Sequence, residues 1–374
     1  MRVCLVIPYD LGEEGGVKRH GVRLAAALRE LGDEVDVIGP SSVPIHDPHV
    51  HAFGGIVNIA SNGSENHIGV FTSPLAVRRL LRAQRYDVVH VHEPLIPSLN
   101  YWAVWSAGGA ARIATFHAFS EHESLRLRAV RRVWSGIAFR AYDRGIAVSP
   151  AAAEGIRNDF AKPLAIIPNG IDTSIYTATA LPHRGTLRLL FVGHWRDSRK
   201  GLPVLLEACD RLRGIDWQLD VVGDGGTLPR RDHPNVTYHG PISSEIQLAS
   251  LYAMCDVFVA PALGMESFGI VLLEAMAAGR AIVCSDIAGY RHAAGDVARY
   301  VPPRDSAALA AAITELAGSP ALRQRLGAEG KQRARSFEWS AIAERVRDEY
   351  RAALAARGKS TADKAASSAR AVAR

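Results

Sequence analysis

The most chemically specific stretch of the chain is Gly264-Met265-Glu266-Ser267-Phe268-Gly269-Ile270-Val271-Leu272-Leu273-Glu274-Ala275-Met276-Ala277-Ala278-Gly279. Glu266 and Glu274 stand eight residues apart, which at about 1.5 Å of helical rise per residue spans roughly 12 Å. That is too far for two carboxylates to share a metal or to act as a paired acid and base. It suits gripping the two ends of an elongated ligand. Carboxylates accept hydrogen bonds from vicinal hydroxyls, so a sugar and a ribose fit the ends, with a phosphate between them on the free N–H groups of a helix opening at Ser267 to Gly269. A solvated helix position is the alternative for Glu274, but its setting in the apolar run Ile270 to Ala278 argues against that. A buried carboxylate requires a partner.

Two other turns suit an anion. Gly193-His194-Trp195-Arg196-Asp197-Ser198-Arg199-Lys200-Gly201 follows a strand pattern and opens a helix, so three cations at a strand's carboxyl end would meet a diphosphate, unless the run is a solvated basic loop. Gly15-Gly16 lie between a strand ending at Pro8 and a helix opening near Val17. Bare N–H groups and the helix dipole favour an anion there, or the glycines only tighten the turn. The run Gly12-Glu13-Glu14-Gly15-Gly16-Val17 lacks the GxGxxG spacing, which disfavours a nicotinamide cofactor. His90 and His92 share one strand face, as metal ligands can, but no third ligand is evident. A structural or acceptor-binding role is preferred for them, and His117 at another strand end reads by itself as a hydrogen-bonded core histidine.

The elements that must position these residues follow one rhythm. Short β-branched runs (Arg2 to Ile7, Glu34 to Ile38, Asp87 to Val91, Arg112 to Phe116, Gly145 to Val148) alternate with helical patterns such as Val17 to Leu31. This implies βαβ units and a parallel sheet. After Pro168-Asn169-Gly170 the rhythm breaks, and it restarts with Leu187 to Val192, Gln218 to Val222, Val236 to His239, Val257 to Ala260 and Ala281 to Ser285. The expectation is an α/β protein of two doubly wound domains with a ligand cleft between them. Residues 1–168 are expected to form the N-terminal domain, 169–186 a linker, 187–335 the C-terminal domain, 336–357 a final helix and 358–374 a mobile basic tail.

A chain of 374 residues with 48% hydrophobic and 22% charged residues can bury a large core, which excludes disorder and collagen-like repeats. Its four cysteines, Cys4, Cys209, Cys255 and Cys284, have no CxxC pairing and read as buried small hydrophobes in a reducing compartment. No apolar run reaches the roughly 20 residues that cross a bilayer, and the start is too short for a signal sequence. The expected location is therefore cytoplasmic, with membrane contact only peripheral.

The net charge of +6 is unevenly placed. Residues 351–374 carry +5, leaving the rest at +1, and within that body residues 74–144 carry +6. Pro74 to Arg85 reads as a helix with Arg78, Arg79, Arg82 and Arg85 and no acid, and Arg126 to Arg144 repeats the theme among apolar residues. Basic amphipathic helices can lie on anionic lipid, although a solvated face over a core stripe gives the same pattern. No RRM, KH or helix-turn-helix pattern accompanies them, so nucleic acid is not an expected partner.

The Glu266 to Glu274 segment resembles the E-x7-E signature of the retaining GT-B glycosyltransferases of family 4. The resemblance extends over almost the whole chain through Gly15-Gly16-Val17, Val89 to Pro94, Thr115-Phe116-His117, Ala147-Val148-Ser149, Ile167 to Asp172, Arg199-Lys200-Gly201 and Val222 to Gly225, in the family's order. Within the family, Gly15 to His20, His90 to Pro94 and Glu266 to Gly279 are most similar to actinobacterial phosphatidylinositol mannosyltransferases. The resemblance implies two Rossmann-like domains facing a central cleft, with the C-terminal helix returning to the first. It implies donor binding by Gly15, Gly16, Arg196, Lys200, Ser267, Phe268, Gly269, Ile270, Val271 and Glu274, with Lys200 and Gly16 at the diphosphate and Glu274 at the ribose. Glu266 and His117 would be the catalytic pair beside the transferred sugar. His20, Glu93, Arg78, Arg79, Arg82 and Arg85 would serve acceptor or membrane. The family usually has arginine directly after the glycine matching Gly193, where this chain has His194, which puts that arginine–diphosphate contact in question and leaves Arg196 as the substitute.

The expected activity is retaining transfer of a hexose, mannose from GDP-mannose, to a lipid acceptor such as phosphatidylinositol at the inner face of the cell membrane. The alternatives are a UDP-sugar-dependent enzyme with a soluble acceptor and a non-catalytic nucleotide-sugar-binding protein. No cofactor is required by the sequence, the nucleotide sugar being substrate. A divalent cation is allowed, but no site for one is identified.

Overall fold

The computed structural model describes every residue except 14, 62–63, 118–135, 137, 178–184, 225–232 and 373–374, and of 59–61, 64–66 and 359–372 the backbone alone. The chain forms two compact units, Met1–Ile59 with Asn66–Pro168 and Trp339–Arg374 in the first, and Ala60–Glu65 with Asn169–Glu338 in the second.

In the first unit, strands β1 (Arg2–Val6), β2 (Glu34–Gly39) and β3 (Val50–Ala52) are followed by the pair β4 (Gly55–Ser61) and β5 (Ser64–Val70), a small sheet of its own. Strands β6 (Val88–His92), β7 (Ala111–Phe116), β8 (Arg144–Ala147) and β9 (Leu164–Ile166) complete the main sheet, whose order is β3-β2-β1-β6-β7-β8-β9 with every neighbour parallel. The crossovers include helices α1 (Gly16–Glu30), α2 (Pro74–Gln84), α3 (Leu99–Ser106) and α4 (Pro150–Ile156).

Strand alternation explains how this sheet is covered. Val3 and Leu5 point to one face and pack with Leu24 and Leu28 of α1 and with Ile342, Val346 and Tyr350 of the C-terminal helix. Cys4 and Val6 point to the other, against Val77 and Leu81 of α2 and Leu99 and Ala103 of α3. A parallel sheet needs both faces buried, and here the last helix supplies part of one. That helix runs Trp339–Val372, beyond the boundary at 357 expected from sequence. The alanines Ala365, Ala366, Ala369 and Ala371 carry high helix propensity past Gly358.

The second unit contains β10 (Leu187–Val192), β11 (Trp217–Val222), β12 (Val236–Gly240), β13 (Val257–Ala260), β14 (Ala281–Ser285) and β15 (Ala298–Val301), parallel in the order β12-β11-β10-β13-β14-β15. Its helices are α5 (Leu202–Cys209), α6 (Glu245–Met254), α7 (Ile270–Ala277), α8 (Ala288–Ala294), α9 (Ser306–Gly318) and α10 (Pro320–Ala334). Leu189 and Phe191 of β10 pack with Leu202, Leu205 and Leu206 of α5 and with Leu309, Ile313 and Leu316 of α9. Of the stretch 169–186 expected as a linker, Asn169 onward belongs to this unit, and the turn Thr173–Tyr176 brings the Tyr176 ring within 5.9 Å of the Tyr252 ring on α6.

In each sheet the strand order reverses beside the first strand of the unit, between β1 and β6 and between β10 and β13. Loops leaving the carboxyl ends of those strands form the crevice where doubly wound sheets take ligands. All four cysteines are buried thiols. Among the described residues no helix is long and apolar enough to cross a membrane.

Candidate functional site

In the second unit the two loops at the β10/β13 reversal are tied together. Asp197, 2% exposed, accepts from the Arg199 backbone N–H at 3.0 Å and from both arms of its guanidinium at 2.9 and 2.6 Å. Arg199 therefore builds the turn. This corrects the reading of three cations directed at one ligand, because a bidentate carboxylate already matches that charge. The turn ends on Gly201, with φ +73°, where a Cβ would sit 2.0 Å from the Pro261 carbonyl oxygen. Only glycine lets this turn close against the end of β13. The Leu263 N–H donates to the Arg199 carbonyl at 2.6 Å and completes the junction.

That junction sets Lys200 against Glu266, and the ammonium donates to Oε1 of the carboxylate. Neither side chain is fully buried, at 27% and 14% exposed, so the pair stays within reach of an incoming ligand. Past it, Gly269 caps α7 at φ +92° without any side-chain hydrogen bond, so the first turn presents its own N–H groups. Helix α7 thus starts at Ile270, just after the Ser267 to Gly269 start read from sequence. Ser267, Ile270 and Val271 are half-buried at this end, while Phe268 is buried with its ring 5.9 Å from that of Phe337.

One turn into α7, Glu274 is 2% exposed and accepts from the Tyr252 hydroxyl at 2.8 Å. Burial, and then the neighbouring Glu274, hold the phenol far above its ordinary pKa, so Tyr252 stays a donor. The partner that a buried carboxylate requires is this residue of α6, which sequence reasoning did not single out. His194 and Arg196 are both exposed on the loop after β10.

In the first unit, Gly15 precedes α1 in extended conformation. A Cβ on Gly15 or on Gly16 would meet nothing within 4 Å. The chain's own packing does not require glycine at either place.

Across the β1/β6 reversal lies a cluster of histidines. His92 Nδ1 is 3.0 Å from His117 Nε2, and the two rings stack with centroids 5.3 Å apart. His20 of α1 meets both, at 4.7 Å from the His117 centroid and 5.4 Å from that of His92. His90, by contrast, is held inside by the Tyr350 hydroxyl and the Thr115 Oγ1, each at 2.6 Å. Burial first, then the nearby His20, pushes the His90 pKa down to about 3. Burial and the other rings hold His92 and His117 well below the usual imidazole range. Neutral rings such as these exchange hydrogen bonds with hydroxyls and carry no charge to a phosphate. Glu93, in the left-handed region at φ +49°, accepts from the His117 backbone N–H at 2.8 Å, and buried Asn100 donates to the Glu93 carbonyl at 2.8 Å. Asn100 was not legible as a site residue from sequence.

Arg78, Arg79, Arg82 and Arg85 are all exposed on or just after α2, beside exposed Phe71 and Leu75. The second basic stretch is not one helix. Arg126, Arg128, Arg131 and Arg132 lie outside the described residues, and Arg144 sits in β8, 2.5 Å from Glu349. Its parallel pairing with Ile113 of β7 places it in the sheet, against the helical spacing read from sequence.

A family model described as "Glycosyl transferases group 1" matches residues 186–319, and one described as "Glycosyltransferase Family 4" matches residues 14–175. The phosphatidyl-myo-inositol mannosyltransferase of Mycobacterium leprae (strain TN) is 35% identical over 370 residues, covering 94% of this chain and 96% of the relative. That of Propionibacterium freudenreichii subsp. shermanii is 31% identical over 366 residues, covering 92% and 93%. Among solved structures, sucrose-phosphate synthase from Thermosynechococcus elongatus matches with a TM-score of 0.71 at 23% identity, over 95% of this chain and 99% of that one, a likeness of fold. With family models on both units and relatives aligned along nearly the whole length, the chain belongs to the group 1, family 4 glycosyltransferases of the GT-B fold.

Proposed function

We propose that the protein transfers mannose from GDP-mannose, with retention of configuration, to an inositol phospholipid at the inner face of the cell membrane. The observation that carries the transfer chemistry is Lys200 held on Glu266, one segment away from buried Glu274. Such a set binds a nucleotide sugar at its diphosphate, sugar and ribose. On this reading Lys200, Arg196 and the N–H groups opening α7 take up the charge that develops on the departing diphosphate. Glu266 then turns to the sugar hydroxyls. The acceptor hydroxyl bonds to the anomeric carbon on the face from which the diphosphate leaves, and its proton passes to the departing phosphate oxygen. His117, uncharged, orients a sugar hydroxyl.

The printed names of the relatives supply the acceptor class, and the exposed arginines of α2 beside Phe71 and Leu75 support a peripheral seat on anionic lipid. The test is turnover of a panel of GDP- and UDP-sugars on liposomes with and without phosphatidylinositol. GDP release that depends on both mannose and phosphatidylinositol is expected. UDP release, or a rate indifferent to liposomes, overturns the donor or the acceptor respectively.

A further inference from the structure

A second polar cluster lies in the first unit, away from the histidines. Strand β5 runs beside the segment that leaves β1: Tyr9 and Ile68 form an antiparallel bridge, the Asp10 N–H donates to the His67 carbonyl at 2.9 Å, and the Gly69 N–H donates to the Pro8 carbonyl at 2.9 Å. This register sets Asp10 next to His67, and the loop beyond Gly12 returns Glu13 to them. One ligand-type atom from each of Asp10, Glu13 and His67 lies within 4.8 Å of the other two.

The hydrogen bonds of this cluster are incomplete in a specific way. Asp10, 3% exposed, receives the backbone N–H groups of Gly12 and Ser42 on Oδ1, both at 2.8 Å. Its Oδ2 is buried and has no hydrogen-bond partner among the described residues, and the same holds for His67 Nε2. His67 Nδ1 is in contact with Glu13, so these two groups already face one point. A Glu13–His67 pair alone explains neither stranded atom. A buried carboxylate oxygen with no donor, beside an imidazole and a second carboxylate, is what a cation completes.

We propose that Asp10, Glu13 and His67 bind one divalent first-row metal ion of the zinc or manganese type. An imidazole nitrogen with two carboxylates suits these ions better than magnesium, which favours oxygen alone and keeps its waters. Two carboxylates balance the ion's charge, and its remaining positions go to water or a substrate oxygen. The location gives the ion a purpose. Glu13 stands two residues before Gly15, so its uncompensated charge would oppose an anion at the N-terminus of α1. The bound ion removes that opposition. This site does not depend on the sugar, nucleotide or lipid assigned above.

The test is calorimetric titration of the chelator-treated full-length protein with Zn²⁺, and separately the visible spectrum on adding Co²⁺, both without substrate. One ion per chain is expected, weakened about tenfold or more in Asp10→Asn, His67→Gln and Glu13→Gln and unchanged in His117→Gln. Glu13 is about half exposed, so its variant reads the site even where the Asp10 variant fails to fold. No stoichiometric binding, binding unaffected by His67→Gln and Glu13→Gln, or binding lost with His117→Gln would overturn the proposal.

Discussion

His92 and His117 end adjacent parallel strands, and their rings share a hydrogen bond of 3.0 Å while His20 covers both. All three are brought together by the order β1-β6-β7, and burial keeps His92 and His117 uncharged.

A pH dependence of stability follows. An imidazole with a depressed folded pKa contributes fully above the unfolded value of about 6.5. Below that, the unfolded chain binds protons that the folded chain refuses, and stability falls by about 1.4 kcal/mol per pH unit for each such ring. His90 and His92 are both fully buried. The Tm should drop as pH falls from about 6.5 towards 5, and His90→Gln should flatten that slope. A slope unchanged by the substitution would assign the acid sensitivity elsewhere.

Lys200 and Glu266 act on the same ligand and on each other. Lys200→Ala should lower kcat by about a hundredfold, the scale of losing one preorganised charge at a developing anion. Glu266→Gln should cost a comparable factor, and the double variant much less than the product of the two. Steady-state kinetics on all three proteins decides this. Full multiplicativity would mean that the contact has no part in turnover.

Gly16 has open space where a side chain would begin. Gly16→Ala should leave the unfolding free energy within about 1 kcal/mol of the parent protein, the range of glycine-to-alanine changes at compatible positions. It should also raise the donor KM several-fold. A variant that loses stability instead would show that the fold requires the glycine.

Exchanging Arg78, Arg82 and Arg85 for glutamine should reduce co-sedimentation with anionic vesicles, each cation near the surface contributing about 1 kcal/mol. The Tm should change little, since all three side chains are exposed. Equal binding to neutral and anionic vesicles would remove electrostatics from the account.

The alternation of strands and helices was readable because β-branched runs and turn residues mark each βα unit locally, and Glu266 and Glu274 were readable because one segment holds both. The histidine cluster was not. His20, His92 and His117 are far apart along the chain, and only the sheet order makes them neighbours, so His90 and His92 seemed to lack a third companion. Tyr252 escaped notice for the same reason, as its hydroxyl reaches Glu274 from another helix. Arg144 was misread because a strand beginning with arginine mimics the end of a basic helix. Arg199 had its neutralising Asp197 only two residues away, but a turn had to form before they could meet.

Because Ile342, Val346 and Tyr350 complete the core beneath β1, and Tyr350 holds His90 in place, the first unit is finished by a segment that leaves the ribosome only after residues 169–338. Residues 1–168 must wait for 339 onward, while the segment 169–338 emerges whole before then. During synthesis the second unit can therefore reach its native state first, and the exposed face of the earlier sheet is the surface on which a chaperone would act in the interval. Supplying the C-terminal helix as a separate peptide to a chain ended at 338 should restore the protection of His90 and its strand in hydrogen exchange.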